Sequence, residues 1–169
     1  MSREDHNSRF SAIAEQVRDK LAFRLEAVQR ANRGERVDEV IYSLQSQQNG
    51  AQCNALLVKE MIASVFSLKK FCKRCNFDVV VVADEPIYSF LMTVEARNLS
   101  LFDRIELHRD DADEDDNTLT SQQIFASRKP GDLLRYSRKP FVVFMDADIT
   151  SNHRSFPESI FDMLHKEYE

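Results

Sequence analysis

Two carboxylates separated by one small residue, Asp146-Ala147-Asp148, follow directly on the apolar run Phe141-Val142-Val143-Phe144-Met145. Five consecutive apolar residues, two aromatic and two β-branched, read as a strand covered on both faces, like a central strand of a parallel sheet. A strand that stops at Asp-x-Asp delivers side chains i and i+2 to one side of the sheet's carboxyl edge, where open α/β folds bind ligands. Ala147 leaves room between them. Two carboxylates with no thiolate or imidazole beside them suit a hard cation, Mn2+ or Mg2+, held against phosphate oxygens. The spacing alone is not what selects them, because Asp111-x-Asp113 and Asp113-x-Asp115 repeat it in a polar stretch. The preceding strand does.

Other residues invite chemistry and are better explained structurally. Cys72-Lys73-Arg74-Cys75 is a C-x-x-C, but it lies at the end of a helix and before a strand, whereas redox pairs of the thioredoxin type follow a strand. No second pair or nearby histidine completes a zinc site around it. The acidic run from Asp110 to Asp116 has acids at the first, third and fifth positions of a calcium loop counted from Asp111. Asp116 stands where that loop needs glycine and Gln122 where it needs the bidentate glutamate, so a solvated acidic loop is expected. Asp84, before Glu85-Pro86, reads first as a helix N-cap and second as a contact for a nucleotide base or ribose. His153 reads as a surface histidine.

Positioning these groups falls to alternating strands and helices. Phe10, Ile13, Val17, Leu21, Leu25 and Val28 recur at helical spacing, and Asn32-Arg33-Gly34 ends that first helix. It is expected to pack outside the core or to serve as a partner-docking arm, and residues 1–36 are read as an N-terminal extension of a domain spanning 37–169. Strand one is expected over Glu39–Leu44, a helix from about Ala51 to Phe71, and a fully buried strand over Phe77–Ala83 with its four consecutive valines. A helix to about Arg97, an edge strand over Asp103–His108, a loop from Arg109 and two short helices split at Lys129-Pro130-Gly131 follow. A helix from Pro157 to Tyr168 closes the chain, with Ile160, Phe161 and Leu164 inward. The alternation predicts an α/β fold with a doubly wound, mostly parallel sheet. Under it, Ser43 and Gln45, then Asp84, then Asp146 and Asp148 meet at one rim.

Composition narrows the function classes. The chain has 169 residues, 43% of them hydrophobic, which is enough for one sizeable core. With 23 basic against 28 acidic residues, an extensive nucleic-acid surface is not expected. No apolar stretch approaches the roughly 18 residues of a membrane span, the start lacks a signal-peptide core, and three cysteines do not make a disulfide scaffold. A cytoplasmic location is the expectation.

The run from Val40 to Leu164 resembles the N-terminal, nucleotide-sugar-binding half of a GT-A glycosyltransferase, most closely the glycogenin-type retaining family. The likeness lies in the strand Val40–Leu44, the helix Ala55–Lys70, Phe102-Asp103-Arg104-Ile105, and Phe144-Met145-Asp146-Ala147-Asp148. It implies that Asp146 and Asp148 bind Mn2+ or Mg2+ on a sugar-nucleotide diphosphate, with a UDP-sugar as the donor. Ser43 and Gln45 are candidate neighbours of the base because they follow strand one, and Asp84 is a candidate contact for the base or ribose. Asp132-Leu133-Leu134-Arg135-Tyr136 is similar to a stretch in another GT-A group, that of yeast-type initiating mannosyltransferases and glucosylating toxins. There the aspartate and arginine contact the donor sugar, a role that carries to Asp132 and Arg135. Arg138-Lys139-Pro140 stand where those enzymes have two glycines.

Only 21 residues follow Asp148, so the third metal ligand and acceptor site of such enzymes are expected from a missing half or a partner. Two alternatives stay open. One is a catalytically incomplete nucleotide-sugar-binding or protein-interaction domain. The other reads Asp146-Ala147-Asp148-Ile149-Thr150 as the opening of a haloacid-dehalogenase-type phosphatase, although that motif begins its fold and here comes near the end.

Overall fold

Apolar residues switch along the chain between a period of two and one near 3.6, and the backbone switches with them. This computed structural model describes residues 3–46, 51–95, 100–108, 131–153 and 155–168. The elements are α1 (Arg3–Asn32), β1 (Asp38–Leu44), α2 (Ala51–Phe71), β2 (Phe77–Ala83), α3 (Glu85–Glu95), β3 (Arg104–Leu107), a short helix α4 over 131–136, β4 (Phe141–Met145) and α5 (Glu158–Lys166). The four strands form one sheet in the order β3-β2-β1-β4, and every neighbouring pair is parallel. The fold is α/β and doubly wound.

Pleating assigns the two faces. Val40, Tyr42 and Leu44 of β1, with Val79, Val81 and Ala83 of β2, share one core with Val58, Met61, Val65 and Leu68 of α2, Ile87 and Leu91 of α3, and Phe161 of α5. Ile41, Val80 and Val82 point the other way and pack with Tyr136 of α4 and Val142 of β4. Because β1 and β2 are buried on both faces, they carry continuous apolar runs instead of alternating ones.

Two expectations change on inspection. The run Phe141–Met145, read as a central strand, forms the margin of the described sheet, with β1 as its neighbour. Only its ends, Phe141 and Met145, are fully buried, and Val142, Val143 and Phe144 are half-buried. An apolar run reports how well a strand's faces are covered. It does not report how many neighbours the strand has. The first helix packs through its last turns, where Ala27 and Val28 are buried, while Leu21, Phe23 and Leu25 are exposed. Gly34, at φ 84, then adopts the left-handed conformation that ends the helix.

The acidic run Asp110–Asp116 and the loop expected from Arg109 lie outside the described residues. Among the described residues, no helix is long and apolar enough to cross a membrane.

Candidate functional site at the carboxyl edge

The chain builds β1, β2 and β3 toward one side and then returns to lay β4 on the other side of β1. The strand order therefore reverses between β1 and β4, and in open α/β sheets the crevice beyond two such carboxyl ends is the ligand-binding position. Tyr42 pairs with Met145 in the ladder. Ser43 follows Tyr42 on β1, and Asp146 follows Met145 just beyond the end of β4.

β4 stops at Met145, one residue before the first carboxylate, and the Asp146 carbonyl accepts the Ile149 N–H at 3.2 Å. Asp146 and Asp148 thus stand on a turn, not on an extended strand, and the alternation expected to align them ends just before them. Asp146 is half-buried, Ala147 is buried and Asp148 is exposed. The turn is fixed from behind by α2. Ser64 Oγ donates to the Ile149 carbonyl, and Ser67 Oγ accepts the Ser151 N–H at 2.7 Å. Ser64 and Ser67 stand one turn apart on α2 and so share a face. Two carboxylates on a turn braced in this way are the hard-oxygen donors that Mg2+ or Mn2+ takes together with phosphate oxygens and water.

Tyr42 locks this brace to the sheet. Its hydroxyl shares a hydrogen bond with Ser64 Oγ at 2.7 Å, and burial lifts its phenol from 10.0 to about 12, against the opposing pull of that hydrogen bond. A pKa raised in the folded state contributes stability that is complete below the unfolded value and is lost as pH rises through the folded one. We expect the wild type to lose about 2–3 kcal/mol more than Tyr42→Phe between pH 9 and pH 12 in denaturant titrations. Parallel pH profiles for the two proteins would refute this.

A second group of polar side chains closes the same edge on the α4 face. Asp132, on α4, is 2% exposed and uses both carboxylate oxygens within the protein. Oδ2 accepts the Ser43 hydroxyl at 2.5 Å, and Oδ1 lies 2.6 Å from Nδ1 of His108. Ser43 ends β1, His108 is the first residue beyond β3, and Asp132 comes from the crossover to β4. Three carboxyl-end segments are therefore tied to one buried acid. His108 was not singled out in the sequence. Its signal was available, since the strand-end rule that selected Ser43, Asp84 and Asp146 applies equally to the end of β3.

Asp84, after β2, joins the rim through the β1 loop. Its Oδ2 accepts both the backbone N–H and the hydroxyl of Ser46, at 2.7 and 2.6 Å. Its backbone carbonyl accepts the Tyr88 N–H at 2.8 Å and so opens α3, while its Oδ1 is buried without a hydrogen-bond partner among the described residues. Gln45 is half-buried beside Ser46, and Arg135 is exposed on α4 one turn beyond Asp132. The structure brings Ser43 and Asp132 into direct contact, and places Asp84 and the Asp146–Asp148 turn along the same edge. His153 is exposed, as expected of a surface histidine.

Compared with known proteins, the chain matches no family model and no curated protein sequence.

Proposed function

We propose that the carboxyl edge of the sheet binds a nucleotide-diphosphate sugar and serves glycosyl transfer, with Asp146 and Asp148 holding Mn2+ or Mg2+ against the diphosphate. The observation that carries this reading is topological: the Asp-x-Asp turn lies beside the point where the strand order reverses. When bound, the ion would act as a Lewis acid that neutralises charge on the departing diphosphate. Ser43 and Gln45 border the nucleotide from β1, and Asp84 borders it from β2. Arg135, exposed on α4, is the proposed contact for the donor sugar, and Asp132 holds the Ser43 and His108 side chains in place beside it. A UDP-sugar is the donor to test first.

The engagement of Asp132 favours a second reading. A carboxylate carried over as a donor-sugar contact has both oxygens occupied by protein partners, which suits a domain that binds the nucleotide sugar without itself completing transfer.

Calorimetric titration with UDP-sugars, with and without Mn2+, tests both. Binding should require the metal and fall by at least about a hundredfold in Asp146→Ala and in Asp148→Ala. Sugar release alongside binding supports the transferase, and binding without turnover supports the binding domain. Absence of metal-dependent binding overturns both, and phosphate release from a simple phosphomonoester would point to the phosphatase.

A further inference from the structure

Away from the carboxyl edge, the loop between α2 and β2 has three unusual features in five residues. Cys72 and Cys75 are joined as a disulfide with their Cα atoms 5.2 Å apart. Cys75 has φ 47, a left-handed conformation that side chains with a Cβ adopt at an energetic cost. The backbone N–H groups of Lys73, Arg74 and Cys75 all point at one carboxylate, that of Glu158, at 3.0, 2.5 and 3.0 Å. Glu158 is 4% exposed and is the first residue of α5. The loop is thus a cradle for the start of α5, and a covalent bridge closes the cradle.

We propose that Cys72–Cys75 is a redox-active pair whose oxidised form clasps α5 to the sheet and whose reduction by a cellular dithiol releases it. In the exchange, a thiolate of the reductant attacks one sulfur and forms a mixed disulfide. Its second thiol then displaces the remaining cysteine. Two electrons and two protons end on Cys72 and Cys75, and the reductant leaves as its own disulfide. Both cysteines are half-buried, so the bridge is not sealed in the core. Once it opens, nothing covalent keeps Cys75 left-handed. As that residue returns to its ordinary basin, its N–H and those of Lys73 and Arg74 swing off the Glu158 carboxylate. A buried carboxylate without donors is unfavourable, so the first turn of α5 moves toward water.

The effect has a route toward the carboxyl edge. Between Asp148 and α5 the chain is tied to α2 at Ile149, Ser151 and Ser155, the last through its N–H to the Phe71 carbonyl at 3.1 Å. Phe71 immediately precedes Cys72. The clasp therefore closes the end of the segment that carries the Asp146–Asp148 turn.

Hydrogen exchange on the full chain, oxidised and then reduced with dithiothreitol, tests this without any ligand and so stands or falls apart from the proposed function. Reduction should speed exchange of the amides at 73–75 and 159–166 by about tenfold, the scale set by one left-handed residue relaxing, and leave those of β1 and β2 unchanged. The double variant Cys72→Ser, Cys75→Ser should match the reduced protein and ignore dithiothreitol. Equal protection in both states overturns the proposal, as does finding both cysteines as free thiols after mild oxidation. Acceleration spread equally over β1 and β2 also overturns it, because the bridge would then staple the whole fold.

Discussion

Replacing Arg104 with Met should lower the unfolding free energy by about 3–5 kcal/mol, the range for removing one member of a buried ion pair. Arg104 opens β3, and its Nη2 donates to Glu39 Oε1 at 2.8 Å and to the Tyr136 carbonyl of α4 at 2.7 Å. Glu39 is 1% exposed, and its other oxygen accepts the Arg138 N–H at 3.0 Å. Without the guanidinium, a carboxylate stays buried with one backbone donor. Pairing Arg104→Met with Glu39→Leu removes the stranded charge and should recover most of the loss in chemical denaturation. A double variant as unstable as the sum of its singles would show that the pair acts through something other than charge.

The pH dependence gives a second check on the same pair. Burial holds the Glu39 carboxyl above its ordinary value, against the pull of the Arg138 N–H and of Arg104. A raised carboxyl favours its neutral form in the folded state. Its contribution is therefore complete below the ordinary carboxylate range and fades as pH rises through the folded value. The penalty for Arg104→Met should accordingly be smaller at mildly acid pH than at pH 8, because a protonated Glu39 no longer needs the cation.

Replacing Glu158 with Ala should cost about 2–4 kcal/mol, measured with the cysteines held oxidised. One carboxylate there serves three backbone donors. Hydrogen bonds to a charged group contribute about 1.5–3 kcal/mol each, partly offset here by water entering the space left behind. Glu158→Gln should fall between, since its amide keeps one acceptor oxygen but turns an N–H toward a backbone N–H. A loss below about 0.5 kcal/mol for the alanine variant, as at an ordinary surface position, would show that the cradle contributes little to holding α5.

The residues that were legible in the sequence are those whose signal is local. Four valines in a row made β2, and the helix expected from about Ala51 to Phe71 is α2, with the same bounds. Asp146 and Asp148 stood out because a strand precedes them. The illegible features depend on partners far along the chain. Glu39 meets Arg104 65 residues away, and Asp38 meets His165 127 residues away. An acid in a strand looks the same in sequence whether it faces water or an arginine. The meeting of Ser43, His108 and Asp132 was equally hidden, because it needs the strand order that puts β1, β3 and α4 around one corner. That Asp146 sits on a turn could not be read from the sequence, because a strand continuing to residue 147 would carry the same apolar run Phe141–Met145 as one that stops at 145.

Among the described residues β4 joins the sheet through β1 alone. The Asp146–Asp148 turn therefore hangs from two supports, the ladder to β1 and the Ser64 and Ser67 hydroxyls of α2. A shift of α2 along the sheet would carry both carboxylates with it, so the spacing between helix and strand sets where that turn stands in the crevice.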